Sequence, residues 1–181
     1  MRLESERLVL REFAMEDWPA VNAYTSDPVV VQYMPFGPTT EAQTREHLSQ
    51  CLATAVEQPR RIYELAVILR TEQQLIGTAT IALHPHERRH ASFSYLLHQQ
   101  YWGKGYATEA MRTLINFGFT VLGLHRLEDT CDTRNLASAR VMEKLGMRRE
   151  GHLRETIWKD GRWYNEYIYA ILGHEWVHHD E

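Results

Sequence analysis

Apolar and polar positions along the chain alternate, pass into helical spacing, and return to alternation several times. Between Leu3 and Phe13, Leu8, Leu10 and Phe13 fall on one side and Arg7, Val9 and Arg11 on the other, which predicts a first strand. Glu16-Asp17 opens a helix with acidic residues in its first turn and Pro19 in an early position. That helix runs to about Tyr24 and stops near Ser26-Asp27-Pro28. Pro35-Phe36-Gly37-Pro38-Thr39-Thr40 reads as a loop, with Thr40 as the cap of a helix from Glu41 to Ala55. Two strands follow, about 61–69 and 75–83, around the polar turn Thr71-Glu72-Gln73. A third covers Ala91 to Leu97. From Ala107 the period changes, and Ala107, Met111, Leu114, Ile115 and Gly118 share one helical face as far as about Val121. Leu127 to Asp132 reads as a strand, and Leu136 to Leu145 as a helix ended by Gly146. Asp160-Gly161 between 155–159 and 163–172 signals a hairpin. The order β-α-α-β-β-β-α-β-α-β-β predicts a mixed α/β sandwich around one sheet: one domain over 1–181, with a tail from about 174.

Composition narrows the class. A chain of 181 residues builds a core without disulfide or metal staples. Cys51 and Cys131 lack ligand-like spacing and read as reduced thiols. The segment from Met1 to Arg7 has no apolar stretch for a signal peptide, and no apolar run approaches a membrane span. A net charge of −4 gives no electrostatic reason for a nucleic-acid partner. The expectation is a cytoplasmic protein with neither a membrane nor a nucleic-acid partner.

The run Tyr101-Trp102-Gly103-Lys104-Gly105-Tyr106-Ala107-Thr108-Glu109-Ala110 sits between a strand and a helix. Glycines there let the backbone bend and its amides approach a ligand closely. A helix start adds unpaired N–H groups and the positive end of the macrodipole, so the turn is a candidate phosphate or pyrophosphate cradle. It is neither a Walker loop nor the dinucleotide fingerprint, since Thr108 stands where the latter has its third glycine. On the glycines alone, a tight turn without a ligand fits as well.

Trp102-Gly103-Lys104-Gly105-Tyr106-Ala107 resembles the (Gln/Arg)-x-x-Gly-x-(Gly/Ala) motif of the GNAT superfamily of acetyl-CoA-dependent N-acyltransferases. Trp102 then takes the place of the Gln or Arg; a register starting at Gln100 also fits the letters. The wider run is similar to the branch that acetylates N-termini of ribosomal proteins. Glu6-Arg7-Leu8-Val9-Leu10-Arg11, Ser26-Asp27-Pro28, Asn135 to Met147, Glu150-Gly151 and the closing hairpin resemble that branch too, over about residues 3–173. The resemblance implies an acyl-CoA N-acyltransferase fold with a mostly antiparallel sheet. It also implies acetyl-CoA as co-substrate, no metal, and a monomer or homodimer.

It implies site residues as well. Backbone amides of Trp102, Gly103, Lys104, Gly105, Tyr106 and Ala107 would hold the pyrophosphate, with the Thr108 hydroxyl beside them. The strand end Tyr95, Leu96, Leu97 would pair with the pantetheine arm, an amide there polarising the thioester carbonyl. Asn135 reads structurally as an N-cap; in the family it contacts the cofactor arm, while Ser138 faces the sulfur as a candidate catalytic proton donor. The pattern departs at the base: Ser92 and Ser94 replace a frequent glutamate and glycine, and Asn165 a frequent aspartate. Glu155 and Glu166 are near in sequence, and His84, His86, His90 and His98 flank the strand. Cys131 has no recognisable base partner, so direct attack by the amine in a ternary complex is expected. An α-amine is already ~10–15% neutral at pH 7 and a lysine amine only ~0.04%, which tilts the acceptor toward a peptide or protein α-amine. A polyamine, amino acid or antibiotic amine is the alternative. Tyr33, Phe36, Trp158, Trp163 and Tyr164 are candidate acceptor-pocket aromatics. Two readings of other classes stand beside these: a GNAT fold that binds acyl-CoA without turnover, and a zinc peptidase from His174-Glu175-x-x-His178.

Overall fold

The computed structural model describes residues 1–84 and 89–176. Its strands are β1 (Arg2–Glu4), β2 (Leu8–Arg11), β3 (Ile62–Leu69), β4 (Gln74–Leu83), β5 (His90–Leu97), β6 (Arg126–Asp132), β7 (Arg148–Lys159) and β8 (Arg162–Leu172). Its helices are α1 (Trp18–Thr25), α2 (Glu41–Ala55), α3 (Tyr106–Thr120) and α4 (Leu136–Lys144). The strands form one sheet in the order β1-β2-β3-β4-β5-β6-β8-β7, antiparallel throughout except where β5 meets β6. The mostly antiparallel α/β architecture is the one the sequence predicts.

Alternation along the strands sends side chains to opposite faces, and each face has its own core. Leu8, Leu10, Val67, Phe93, Leu127 and Cys131 pack with Met111, Leu114 and Ile115 of α3 and Met142 of α4. Val9, Phe13, Ala66, Ile68 and Leu96 pack with Val21 and Tyr24 of α1 and Leu48 and Cys51 of α2. Phe13 thus lies with Val9 rather than with Leu8 and Leu10. Thr40 caps α2 in a reciprocal box with Gln43, and Asn135 caps α4 by accepting from the Ser138 amide at 3.1 Å.

Two elements differ from the pattern-based expectation. The first strand is a hairpin, because Ser5 and Arg7 turn away to bind Glu109 on α3. Strand β7 starts at Arg148 rather than Glu155, since its polar first half is fixed by pairing with β8 instead of by alternation. Its register slips between Leu153 and Ile157, where Glu155 has φ of 54° and donates its amide to Asn165 Oδ1 at 2.9 Å.

One glycine in the sheet is required by close approach. A Cβ on Gly77 of β4 would stand 2.2 Å from the Leu96 carbonyl oxygen and 2.5 Å from Leu97 Cδ2. Backbone cannot swing aside as a side-chain tip can. Gly77→Ala is expected to cost roughly 1–3 kcal/mol and lower Tm by about 3–10 °C in a thermal melt, with a wild-type-like Tm refuting the close approach.

Candidate active site

Strands β5 and β6 pair only at His90↔Arg126, Ala91↔Leu127 and Ser92↔Glu128, and then part. On the other side β5 stays bonded to β4 from His84 N–H···O His90 (3.0 Å) to His98 N–H···O Ile76 (2.8 Å). Antiparallel alternation therefore turns the Phe93 carbonyl and the peptide groups of Tyr95 and Leu97 into the gap and the peptides of Ser94 and Leu96 toward β4. By the same count, His125 and Thr133 bond toward β8, so the Glu128 peptide serves the last rung with β5 and the Thr130 peptide faces the gap from β6. Peptide groups without a strand partner call for a ligand or water. An extended amide-bearing arm fits this edge.

A cavity of about 360 Å³ opens beside it. It is lined by Tyr95, Leu96, Leu97, Trp102, Gly103, Gly105, Tyr106, Ala107, Thr108, Asn135 and Ser138, together with Val29, Val30, Gln32, Tyr33, Met34, Tyr101 and the outer face of α4. Every site residue expected from the sequence is there except Lys104, whose ammonium lies 5.4 Å from the centre of the Tyr101 ring. Gly103 and Gly105 have φ of 74° and 85°, the left-handed region that glycine enters without strain. The first helical bond of α3 runs from the Glu109 amide to the Gly105 carbonyl (3.0 Å), so the Tyr106, Ala107 and Thr108 amides stay open to an anion. The Trp102 amide is already bonded to Gln99 O at 3.1 Å. Its indole instead donates to the Leu97 carbonyl at 2.8 Å, bracing the free end of β5.

The glycine turn is held from behind by a contact that local sequence does not reveal. Glu109 accepts from the Arg7 amide (2.8 Å), the Ser5 hydroxyl (2.8 Å) and Arg7 Nε (2.6 Å). The same guanidinium donates to the Lys104 carbonyl (3.2 Å) and covers the Tyr106 ring at 4.6 Å. Burial alone would raise the Glu109 pKa, but the Arg7 and Ser5 hydrogen bonds and the Arg7 charge hold it below the usual carboxylate value.

Across the cavity, the Tyr95 hydroxyl donates to Ser138 Oγ at 3.2 Å, joining β5 to the first turn of α4. Burial pushes the Tyr95 phenol far up, so it remains a proton-bearing donor at neutral pH. Asn135 spends its Oδ1 on the helix cap, which leaves its amide nitrogen for a ligand.

A second, smaller cavity of about 260 Å³ adjoins the gap on the other side of β5 residues 92–94. Thr80, Ser92 and Ser94 give it hydroxyls; Glu128, Asp129 and Thr130 line its β6 side. Glu128 is held by Arg126 (2.9 Å) and lies 3.1 Å from His90. Asp129 was not singled out from the sequence; only the parting of the strands brings it here.

Other candidates fall elsewhere. His84 and His90 stack at 4.3 Å at the start of β5, and His98 Nδ1 accepts from the Gln100 amide. His86 lies outside the described residues. Tyr33 lines the larger cavity, whereas Arg134 covers the Tyr164 ring at 3.8 Å. Trp158 and Trp163 pack on each other at the hairpin tip, outside both cavities, as is Phe36. Burial, with Asp129 and neighbouring carboxylates, pushes the Cys131 thiol up to about 12, which keeps it protonated and unsuited to nucleophilic attack. His47, Cys51 and Glu64 close on one another by hydrogen bonds of 2.7 and 3.5 Å, and none of them lines either cavity. Of the zinc-peptidase motif, His174 is exposed in a turn, Glu175 is bound to Arg148 (2.9 Å) and the Leu172 amide (3.0 Å), and His178 lies outside the described residues.

Because the folded pKa of Glu109 is depressed, its stabilising contribution is present above its unfolded value and fades as pH falls through the folded one. Glu109→Gln is therefore expected to lower the urea midpoint at pH 7, with the two proteins converging between about pH 5 and pH 3. A constant difference across that range would refute the charge contribution.

The sequence profile described as Acetyltransferase (GNAT) domain matches residues 7–148. The Bacillus subtilis protein described as uncharacterized N-acetyltransferase YnaD is 38% identical over 176 residues, 97% of this chain and 99% of that protein. The crystal structure of a GNAT-family acetyltransferase from Bacillus anthracis superposes with a TM-score of 0.85 at 36% identity, covering 96% and 99% of the two chains. Mycobacterium smegmatis RimJ, solved in complex with CoA-disulfide, gives 0.78 at 25% identity over 93% and 83%. No described helix is long and apolar enough to cross a membrane. The open amides of α3, the unpaired edge of β5 and these likenesses agree: the chain belongs to the GNAT family of acetyltransferases and is an acetyl-CoA-dependent N-acetyltransferase.

Proposed function

We propose that the chain transfers the acetyl group of acetyl-CoA to the α-amine of a peptide or protein, by direct attack in a ternary complex. The observation that carries this is the double lining of β5. Residues 95–97 line the cavity beside the glycine turn, and residues 92–94 line the hydroxyl-rich cavity across the gap. Donor and acceptor thus meet along one strand, in reach of each other without a covalent enzyme intermediate. In this reading the amides at the start of α3 hold the pyrophosphate, with the Thr108 hydroxyl beside them. The gap-facing peptides of Tyr95 and Leu97 receive the pantetheine arm.

Tyr95 and Ser138 supply the proton for the departing thiolate. A serine hydroxyl alone is a poor acid, but one that receives a hydrogen bond from a buried phenol has a proton passed to it as it gives its own away. The hydroxyl floor of Thr80, Ser92 and Ser94 orients a neutral amine and is too weakly basic to strip a lysine ammonium, which favours an acceptor with ordinary α-amine basicity. The carboxylates at the β6 side favour a second reading, a small cationic amine such as a polyamine.

A thiol-release screen with acetyl-CoA decides between them. Peptides with free α-amines are expected to exceed matched Nε-lysyl peptides by at least about tenfold in kcat/KM. A preference for polyamines transfers the assignment to the second reading, and silence with every amine despite acetyl-CoA binding refutes both. Ser138→Ala is expected to lower kcat by about 10²-fold with the acetyl-CoA KM little changed, and Tyr95→Phe to follow it in direction. A fall in affinity alone would remove both hydroxyls from the proton path.

A further inference from the structure

We propose that Asp129 is the general base of this site, the group that takes the proton from the acceptor ammonium before attack. This rests on the acetyl-transfer reading above. The expected family carboxylates are absent here, with Ser92 and Asn165 in their places, and Asn165 is spent on closing the β7 bulge. Asp129 supplies a carboxylate from a different strand.

Its position follows from the sheet. Pairing between β5 and β6 ends at Ser92↔Glu128, so Asp129 is the first β6 residue beyond the fork. Its side chain shares a face with Leu127 and Cys131, the face on which Tyr95 meets Ser138. The Thr130 amide faces the gap, and Asp129 Oδ1 accepts it at 2.8 Å, which draws the carboxylate into the opening. At the fork Asp129 also borders the cavity whose Thr80, Ser92 and Ser94 hydroxyls stand on the other face of the sheet. Among the described residues, Oδ2 has no hydrogen-bond partner and no cation pairs with the group. Glu128, the other carboxylate of this cavity, is pinned by Arg126.

The surroundings tune it. Burial comes first and the Glu166 and Glu128 charges add to it, against the Thr130 hydrogen bond, so the carboxyl titrates well above the usual aspartate value. On its own face stand the Tyr95 phenol from β5 and Cys131 on β6, both uncharged at neutral pH, while the Glu128 and Glu166 carboxylates act on it from the other face of the sheet. A carboxylate whose basicity is raised in this way is a better proton acceptor than an ordinary aspartate.

The step balances. Asp129 carboxylate removes one proton from the acceptor ammonium, freeing the nitrogen lone pair. The lone pair forms the N–C bond to the thioester carbonyl carbon, and the C–S bond breaks with its electrons on sulfur. The nitrogen sheds its second proton as the amide forms, and the thiolate gains one from the Ser138–Tyr95 pair, which that proton replenishes. Asp129 returns its proton to solvent.

The test is Asp129→Asn, which keeps shape and the bond to Thr130, assayed by thiol release across about pH 5–9 with an acceptor on which the wild type turns over. The variant is expected to lose about 10²–10⁴-fold in kcat and the acid limb of kcat/KM, while acetyl-CoA affinity by calorimetry and Tm stay near wild type. Added formate or imidazole is expected to restore part of the rate. Activity within threefold of wild type with the same pH profile overturns the assignment, as does a variant whose loss is wholly in acetyl-CoA binding or folding. A wild type silent with every amine overturns the acetyl-transfer reading and this one together; an active wild type with an equally active variant overturns only this one.

Discussion

The parting of β5 from β6 governs the rest of the molecule. A sheet that stayed zipped would spend the Phe93 carbonyl and the peptide groups of Tyr95 and Leu97 on β6, leaving nothing for a ligand to pair with. Each such group left without a partner costs about 1–3 kcal/mol when buried, so the fold tolerates the gap only because it is wet or filled. The two strands are held apart by loyalty to their outer neighbours: β5 to β4 along seven paired positions and β6 to β8 along seven more. Once the wedge is open, one polar corridor joins the helix face that holds α3 and α4 to the face that holds α1 and α2. The chemistry is a consequence of that corridor.

The two halves of the site are built by different means. The half beside the glycine turn presents main chain, and the clasp of Arg7 and Ser5 on Glu109, of Arg7 on Lys104 and of Trp102 on Leu97 keeps the turn in shape. Main-chain recognition of a phosphate needs no special side chains apart from glycines at the bends. The other half is made of side chains from β4, β5 and β6. Hydroxyls and carboxylates there can be exchanged without disturbing the turn, so one half can be constant while the other specialises.

This division explains what was legible in the sequence. The glycine turn, the Thr40 and Asn135 caps and the strand preceding the turn are contiguous signals, and each stood where local spacing put it. The partner of the turn was not visible, because Arg7 and Glu109 are 102 positions apart and neither letter is unusual alone. Trp102 was read as a substitution in a motif, whereas its indole braces the Leu97 carbonyl, a bond that only the bend of the turn makes available. Asp129 was invisible for a third reason. In an ordinary paired strand, a residue next to Leu127 and Cys131 would be a core position, and only the fork makes a carboxylate tolerable there. The polar first half of β7 escaped notice because an edge strand need not alternate when its partner fixes the register.

Lys159 gives the mouth of the site a dependence of its own. Its ammonium, at the end of β7, donates to the carbonyls of Val31, Gln32 and Met34 at 2.9, 3.0 and 2.9 Å. Gln32 and Met34 line the larger cavity, and Val31, 128 positions before Lys159, lies between its lining residues Val30 and Gln32. Three carbonyl dipoles turned on one cation form a joint that fixes the loop's height above the sheet without reading its side chains. The loop can therefore change sequence freely while keeping its path, but a shortened or lengthened hairpin would carry the cavity's lip with it. The shape of the larger cavity is thus adjustable at two scales: residue by residue within the loop, and as a whole by moving the hairpin that anchors it.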